Sequence, residues 1–296
     1  MHVTGLHLLL TYQCTFECDH CFVWGSPFQN GVMTLDNIRT ILEQAEEVGT
    51  VESFYFEGGE PFLYYSVLQK AVQETAKRGY EVGIVSNAFW ANSLEDAIEN
   101  LKPFAGLVQD LTVSSDLFHY SEAISRQSQF AGQAAEKLGI PTGVISVAQP
   151  EVDACASAGQ IPTGESKVMH RGRAADKLSG RAQKQSWETF TACTSEDLRE
   201  PGRVHIDPFG YVHICQGITI GNLFETPLKE IFARYDPDRH PITGPLLHGG
   251  PVALVREYDL PHEEKYADAC HLCYESRRLL RERFPDELGP DPMYGC

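Results

Sequence analysis

The sequence predicts an α/β chain, a partial (β/α)6 barrel of TIM type followed by a smaller unit built from a β-hairpin and helices. Two observations carry this reading. Short β-rich runs alternate with helical patterns through the first two-thirds of the 296 residues, as parallel βα units require. From residue 174 to residue 185 the composition turns polar and loses its apolar periodicity, and the order of elements changes beyond it. We therefore expect a barrel core over residues 1–180 and a second unit over residues 181–296.

Strands are expected at residues 6–10, 53–57, 81–85, 111–114, 143–147 and 167–170. After the first, their starts recur at roughly 25–30 residues, the length of one βα unit. Between the first two, Leu35, Ile38, Ile41, Leu42, Ala45 and Val48 trace one face of a helix over residues 33–48, which Gly49 can terminate. Further helices are expected at 67–78 before Gly79, at 94–101 behind a Ser93/Asp96 capping box, and at 122–138 before Gly139. In the second unit, residues 203–206, a Pro208-Phe209-Gly210 turn and residues 211–214 read as a hairpin. Residues 227–235 read as a short helix and 267–284 as a longer one, while the Pro- and Gly-rich stretch 237–260 reads as an irregular connection.

Composition narrows the function. Apolar residues make up 42% and charged residues 22%, and no apolar run reaches the length of a membrane span. A formal charge of −17 argues against a nucleic-acid or acidic-membrane partner, because both bind through cationic groups. The first ten residues lack a basic n-region and a cleavage site, so a cytoplasmic protein is expected. Nine cysteines in such a chain point to metal ligation in a reducing compartment rather than to a disulfide framework.

Cys14, Cys18 and Cys21 fall within eight residues, directly after the first strand. Three thiolates can hold three irons of a cubane and leave the fourth iron open to a small chelating molecule. Buried apolar cysteines or a zinc loop fit less well, because structural zinc takes four ligands. At the end of the second strand stand Gly58, Gly59 and Glu60. There the glycines permit close backbone approach and a carboxylate can complement an ammonium group.

In these motifs the sequence resembles the radical S-adenosylmethionine (SAM) superfamily, whose cysteine spacing is matched by Cys14, Cys18 and Cys21. The resemblance covers the proposed barrel and implies a catalytic [4Fe–4S] cluster, with SAM bound to its open iron. It assigns the segment around Gly58, Gly59 and Glu60 to the methionine amino group of SAM. It also places Ser86 and Asn87, then Ser114 and Asp116, beside the cofactor, and Arg173 in a stretch typical of relatives that carry a second cluster. Where relatives often have Tyr or Phe before the third cysteine, this chain has His20, whose ring can still stack on adenine. Asp116, His119 and Tyr120, after the fourth strand, are candidate catalytic residues, although His119 reads more readily as an ordinary loop histidine.

Cys193, Cys215, Cys270 and Cys273 form a second set in the last third. They resemble the short "twitch" form of the auxiliary-cluster (SPASM-like) domains, which implies a second [4Fe–4S] cluster. Zinc on the same four thiolates is the alternative, and Cys296 can stand in for Cys193. Cys155 reads as a packing residue. Full thiolate ligation suits electron transfer, so the resemblance implies hydrogen abstraction from a small-molecule substrate with net oxidation, fed by an external one-electron reductant such as flavodoxin or ferredoxin. Two alternatives remain: a peptide-modifying enzyme, disfavoured by a chain that starts at its first barrel strand, and a non-catalytic iron–sulfur electron carrier.

Overall fold

The computed structural model describes residues 1–121, 124–151 and 165–296. Strands β1 (Gly5–Thr11), β2 (Ser53–Gly58), β3 (Glu81–Ser86), β4 (Asp110–Ser114) and β5 (Thr142–Ile145) are parallel neighbours in the order β5-β4-β3-β2-β1. A two-residue β6 (Gln185–Ser186) pairs antiparallel with β10 (Lys265–Tyr266), apart from the main sheet. The main sheet continues beyond β1 with β7 (Arg203–Ile206), parallel to it, and then antiparallel β8 (Tyr211–Cys215) and β9 (Ile218–Asn222). The fold is thus α/β with a mostly parallel sheet, and that sheet runs unbroken from the first part of the chain into the second.

Helices α1 (Leu35–Val48), α2 (Tyr65–Lys77), α3 (Leu94–Leu101) and α4 (Arg126–Leu138) follow the first four strands. Their ends are fixed locally. Thr34 accepts from the Asn37 backbone while Asn37 reaches back to Thr34 N (2.9 Å), and Gly49 ends α1 in the left-handed region at φ 76°. Ser93 caps α3 through Asp96 N, and Ser125 caps α4 through Ser128 N. Leu6, Leu8 and Leu10 on β1 are fully buried in one core with Ile38, Ile41 and Leu42 of α1. Side chains alternate along a strand, so His7 faces the other side, where it lines the barrel interior.

The remaining helices are α5 (Arg173–Lys177), α6 (Leu228–Arg234), α7 (Thr243–Tyr258) and α8 (Ala269–Leu280). Helix α7 corrects the expectation of an irregular connection over residues 237–260. It is two helical pieces broken at Gly249 and Gly250, with Pro251 opening the second piece, and it buries Leu246, Val252, Leu254 and Val255. Gly250 has φ +64°, and a Cβ there would lie 2.3 Å from Ala192 N. The Gly and Pro that read as loop signals therefore form a break within a buried helix.

The expected strand at residues 167–170 does not form. One parallel bridge joins Val147 to Ser166, after which the backbone donors turn to other partners. His170 N donates to Asp268 Oδ2 (3.1 Å), and Arg171 N bonds Met169 O (2.7 Å). Residues 167–170 alternate in apolarity as a strand does, but their hydrogen bonds tie them to the N-cap of α8. The expected start of the fourth helix at residue 122 lies outside the described residues, as does Cys155.

Candidate functional site

The parallel strands enclose a cavity of about 390 Å³, lined at one end by Cys14, Cys18, Cys21, Gly58, Gly59, Ser86, Asn87, Ser114, His20 and His119. The three cysteines sit on the loop that leaves β1 at Tyr12 and returns where Met33 N bonds Leu10 O (2.9 Å). Gly59 crosses this loop at close range, Gly59 N to Thr11 O at 2.7 Å, and a Cβ there would lie 2.1 Å from Gln13 O. Only glycine fits.

Several donors reach the cysteine sulfurs. Asn87 Nδ2 and Phe16 N each approach Cys14 Sγ at 3.5 Å, and Gly25 N donates to Cys21 Sγ at 3.2 Å. Burial pushes the Cys14 thiol up to about 12 and raises Cys18 further. A metal bond would replace the proton on such thiols. Three thiolates leave one iron of a cubane without a protein ligand, whereas a structural zinc takes four ligands.

Two predicted cofactor contacts take other positions. Glu60 is fully buried, and its carboxylate is occupied by Phe62 N (3.0 Å), Ser86 Oγ (2.9 Å) and Asn87 N (2.8 Å). It braces the end of β2 to the end of β3 and has no oxygen turned to the cavity. Burial raises its pKa to about 7 against the pull of those three donors. Arg173 is likewise buried, its guanidinium donating to Cys18 O (2.9 Å) and Gly25 O (2.8 Å) while its N bonds Cys21 O (2.9 Å). It clamps the cysteine loop from behind.

At the mouth of β4, Asp116 Oδ1 accepts from His119 Nδ1 (2.8 Å), Phe118 N (3.0 Å) and His119 N (3.1 Å), and Oδ2 accepts from Val147 N (3.2 Å). Burial alone would raise the Asp116 carboxyl, but the His119 hydrogen bond and the nearby His119 and His20 hold it below the usual range. An ionised Asp116 fixes the proton on Nδ1 of His119 and leaves Nε2 as the acceptor. His20 lies 3.7 Å from Asp116 Oδ2, with its ring against Phe118 at 4.8 Å between centroids. Burial lowers its pKa to about 4, so the ring is neutral at pH 7.

Cys193, Cys215, Cys270 and Cys273 line a second, small cavity of about 20 Å³ with Arg171 and Arg277. Exposed Cys296 is not in that lining; its Sγ accepts from Arg281 Nη1 at 3.4 Å. Arg171, buried, donates to Cys215 Sγ (3.3 Å) and Glu196 Oε1 (3.2 Å), and it also lines the barrel cavity. Burial raises Cys270 to about 12 and Cys273 to about 11.

Sequence reasoning missed a third group. His7 on β1, Glu57 on β2 and His205 on β7 converge on the wall of the barrel cavity. The available signal was a polar residue at an inward position of an otherwise apolar strand, but His205 joins the others only because β7 pairs with β1.

Residues 8–128 match the family model of the Radical SAM superfamily. Among curated proteins, the chain is 30% identical over 120 residues to YydG of Bacillus subtilis, a protein named for peptide biosynthesis, covering 40% of this chain and 38% of that protein. It is 32% identical over 136 residues to the tungsten-containing aldehyde ferredoxin oxidoreductase cofactor-modifying protein of Pyrococcus furiosus, covering 45% and 36%. The chain thus matches well under half the length of these relatives. Among solved structures, BtrN in complex with AdoMet and 2-DOIA gives a TM-score of 0.52 at 15% identity, covering 79% of this chain and 83% of that one. Native anSMEcpe with bound AdoMet gives 0.50 at 10% identity, covering 96% and 97%. Both likenesses are of fold. No helix among the described residues is long and apolar enough to cross a membrane.

Proposed function

From the match of residues 8–128 to the Radical SAM superfamily, we propose that the chain is an enzyme that cleaves SAM reductively and abstracts hydrogen from a small-molecule substrate. The observation that carries this is the convergence of Cys14, Cys18 and Cys21 with Gly58, Gly59, Ser86, Asn87 and Ser114 on one cavity. When bound, a reduced [4Fe–4S] cluster supplies one electron to the sulfonium of SAM and releases a 5′-deoxyadenosyl radical that takes the substrate hydrogen. Cys14, Cys18 and Cys21 would hold that cluster, on a loop kept in place by Arg173 and by the Gly59 crossing. The cavity walls exclude water from the reacting centre. His20 and Ser114 would face the nucleoside of SAM. His119 Nε2, held by Asp116, would accept the substrate proton.

The second cysteine set would hold a second [4Fe–4S] cluster in a unit spanning residues 181–296, with Arg171 between it and the barrel cavity. Four thiolate ligands leave no open iron, so this site is suited to taking the substrate's electron, and the net reaction is an oxidation. A flavodoxin or ferredoxin would supply the electron for SAM cleavage.

A peptide substrate is the second reading, favoured by the match over 120 residues to YydG, a protein named for peptide biosynthesis. Iron counting with Mössbauer spectroscopy after anaerobic reconstitution tests the cluster assignment. About eight irons per chain, falling to about four when Cys193, Cys215, Cys270 and Cys273 are all replaced by Ala, supports two clusters. Four irons in both proteins removes the oxidative relay.

A further inference from the structure

The group formed by His7, Glu57 and His205 lies on three adjacent strands of the barrel wall. His7 stands opposite His205 in the β1/β7 register and opposite Tyr55 in the β1/β2 register, with Glu57 two residues further along β2. All three line the barrel cavity. Their ligand atoms lie within 4.8 Å of one another. Glu57 Oε2 is 3.4 Å from His7 Nδ1, and Oε1 is 3.0 Å from His205 Nε2.

These contacts leave one carboxylate oxygen unsatisfied. Despite the 3.0 Å approach of His205, Glu57 Oε1 is buried without a hydrogen-bond partner among the described residues. Metal–nitrogen and metal–oxygen bonds of about 2.1 Å in a tetrahedral site place neighbouring donors about 3.4 Å apart. The observed separations, 3.0 Å from His205 to one carboxylate oxygen and 3.4 Å from His7 to the other, are near that edge.

The donors are also held rigidly. Tyr55 stacks on His7 at 4.7 Å with 14° between planes, and its hydroxyl is anchored on Asp110 Oδ2 at 3.1 Å. Gly83 on β3 makes room for that ring, since a Cβ there would lie 2.3 Å from it. His205 meets His7 edge-on at 5.1 Å. A site built on strands with locked rings is preorganised in the way metal sites require.

We propose that His7 Nδ1, a Glu57 carboxylate oxygen and His205 Nε2 bind a divalent transition-metal cation of the zinc or ferrous type inside the barrel. Two histidines and one carboxylate satisfy three positions of such an ion and leave at least one open. The open position faces the cavity, where it takes an oxygen donor of the substrate, a hydroxyl or carboxylate, and so fixes the substrate's orientation toward the cysteine end. This site is distinct from both cysteine sets and needs neither cluster to bind its ion.

The test is zinc binding by the reconstituted full chain, with its thiolates occupied, after a chelator wash. Calorimetry with zinc chloride gives stoichiometry and affinity, and zinc-edge X-ray absorption gives the ligand shell. We expect one zinc per chain with only nitrogen and oxygen neighbours, and an affinity on the order of 100-fold weaker in His205→Gln. Glu57→Asp, which keeps the charge but withdraws the carboxylate, should weaken binding as well, and this second variant guards against misfolding in the first. Iron content and circular dichroism check that both variants are folded. No zinc bound, sulfur in the zinc shell, or binding unchanged in folded variants overturns the proposal. Because the readout is metal binding, a chain that binds zinc here yet does not cleave SAM would refute the proposed activity without touching this site.

Discussion

Replacing Glu60 by Gln separates two roles for the carboxylate that stands in the Gly58-Gly59-Glu60 segment. In the structure it is a fully buried brace between β2 and β3, and burial raises its pKa to about 7 from the ordinary 4.5. Between those values the folded protein holds a proton that the unfolded chain has released. Stability therefore falls as pH rises through this window and levels off above about pH 7. The difference amounts to about 3 kcal/mol. A glutamine side chain does not titrate, so the substitution removes this slope. It also carries a constant penalty, because the new NH2 must face either Asn87 N or Phe62 N, and one buried backbone donor loses its acceptor at about 1–3 kcal/mol. Glu60→Gln should thus be less stable than wild type near pH 4.5 and gain on it by about 3 kcal/mol by pH 7.5. Urea unfolding of both proteins, followed by far-UV circular dichroism across this range without SAM, measures the difference. A difference that does not change with pH would refute the raised pKa. If SAM affinity in addition collapsed with stability intact, Glu60 would be a direct ligand of the SAM ammonium and the brace reading would fall.

Three further outcomes are expected. Arg173→Ala removes two hydrogen bonds from a buried guanidinium to Cys18 O and Gly25 O, at about 3 kcal/mol, and should lower Tm by roughly 5–10 °C and reduce iron loading. Thermal melts and iron assays read both. Gly59→Ala sets a Cβ 2.1 Å from Gln13 O, so the cysteine loop must move; reconstituted iron should drop by at least about half, and a variant with full iron and normal SAM affinity would contradict the close-crossing argument. His119→Gln should leave SAM cleavage in place but lower substrate turnover by about 100-fold or more, as loss of a proton acceptor does. Equal loss of both in a product assay would make His119 a structural residue.

The parallel half of the fold was legible because each strand and helix carries its own local pattern. Helix α1 ends at Gly49, the expected terminator, and starts two residues inside the expected range, and α3 has the predicted bounds. Residues 167–170 misled because their alternation is that of a strand while their donors are taken by Asp268 and a tight turn, which are long-range facts. Helix α7 was hidden by the Gly249-Gly250-Pro251 break.

In the site, the three barrel cysteines and the cavity-lining Ser86, Asn87 and Ser114 were legible because they cluster at strand ends. The buried placement of Glu60 and Arg173 was not, since the same residue types line a cavity or brace a loop depending on which way they face. His7, Glu57 and His205 stayed hidden for another reason: nothing local in residues 203–206 says that this strand lies beside β1.

The most direct measurement of the central claim is 5′-deoxyadenosine formed from SAM by the reduced, reconstituted protein, compared with the variant in which Cys14, Cys18 and Cys21 are all replaced by Ala. The account predicts product from wild type and none from the variant, with the iron of the second cysteine set retained. Absence of product from a fully loaded wild type, or equal product from the variant, would contradict it.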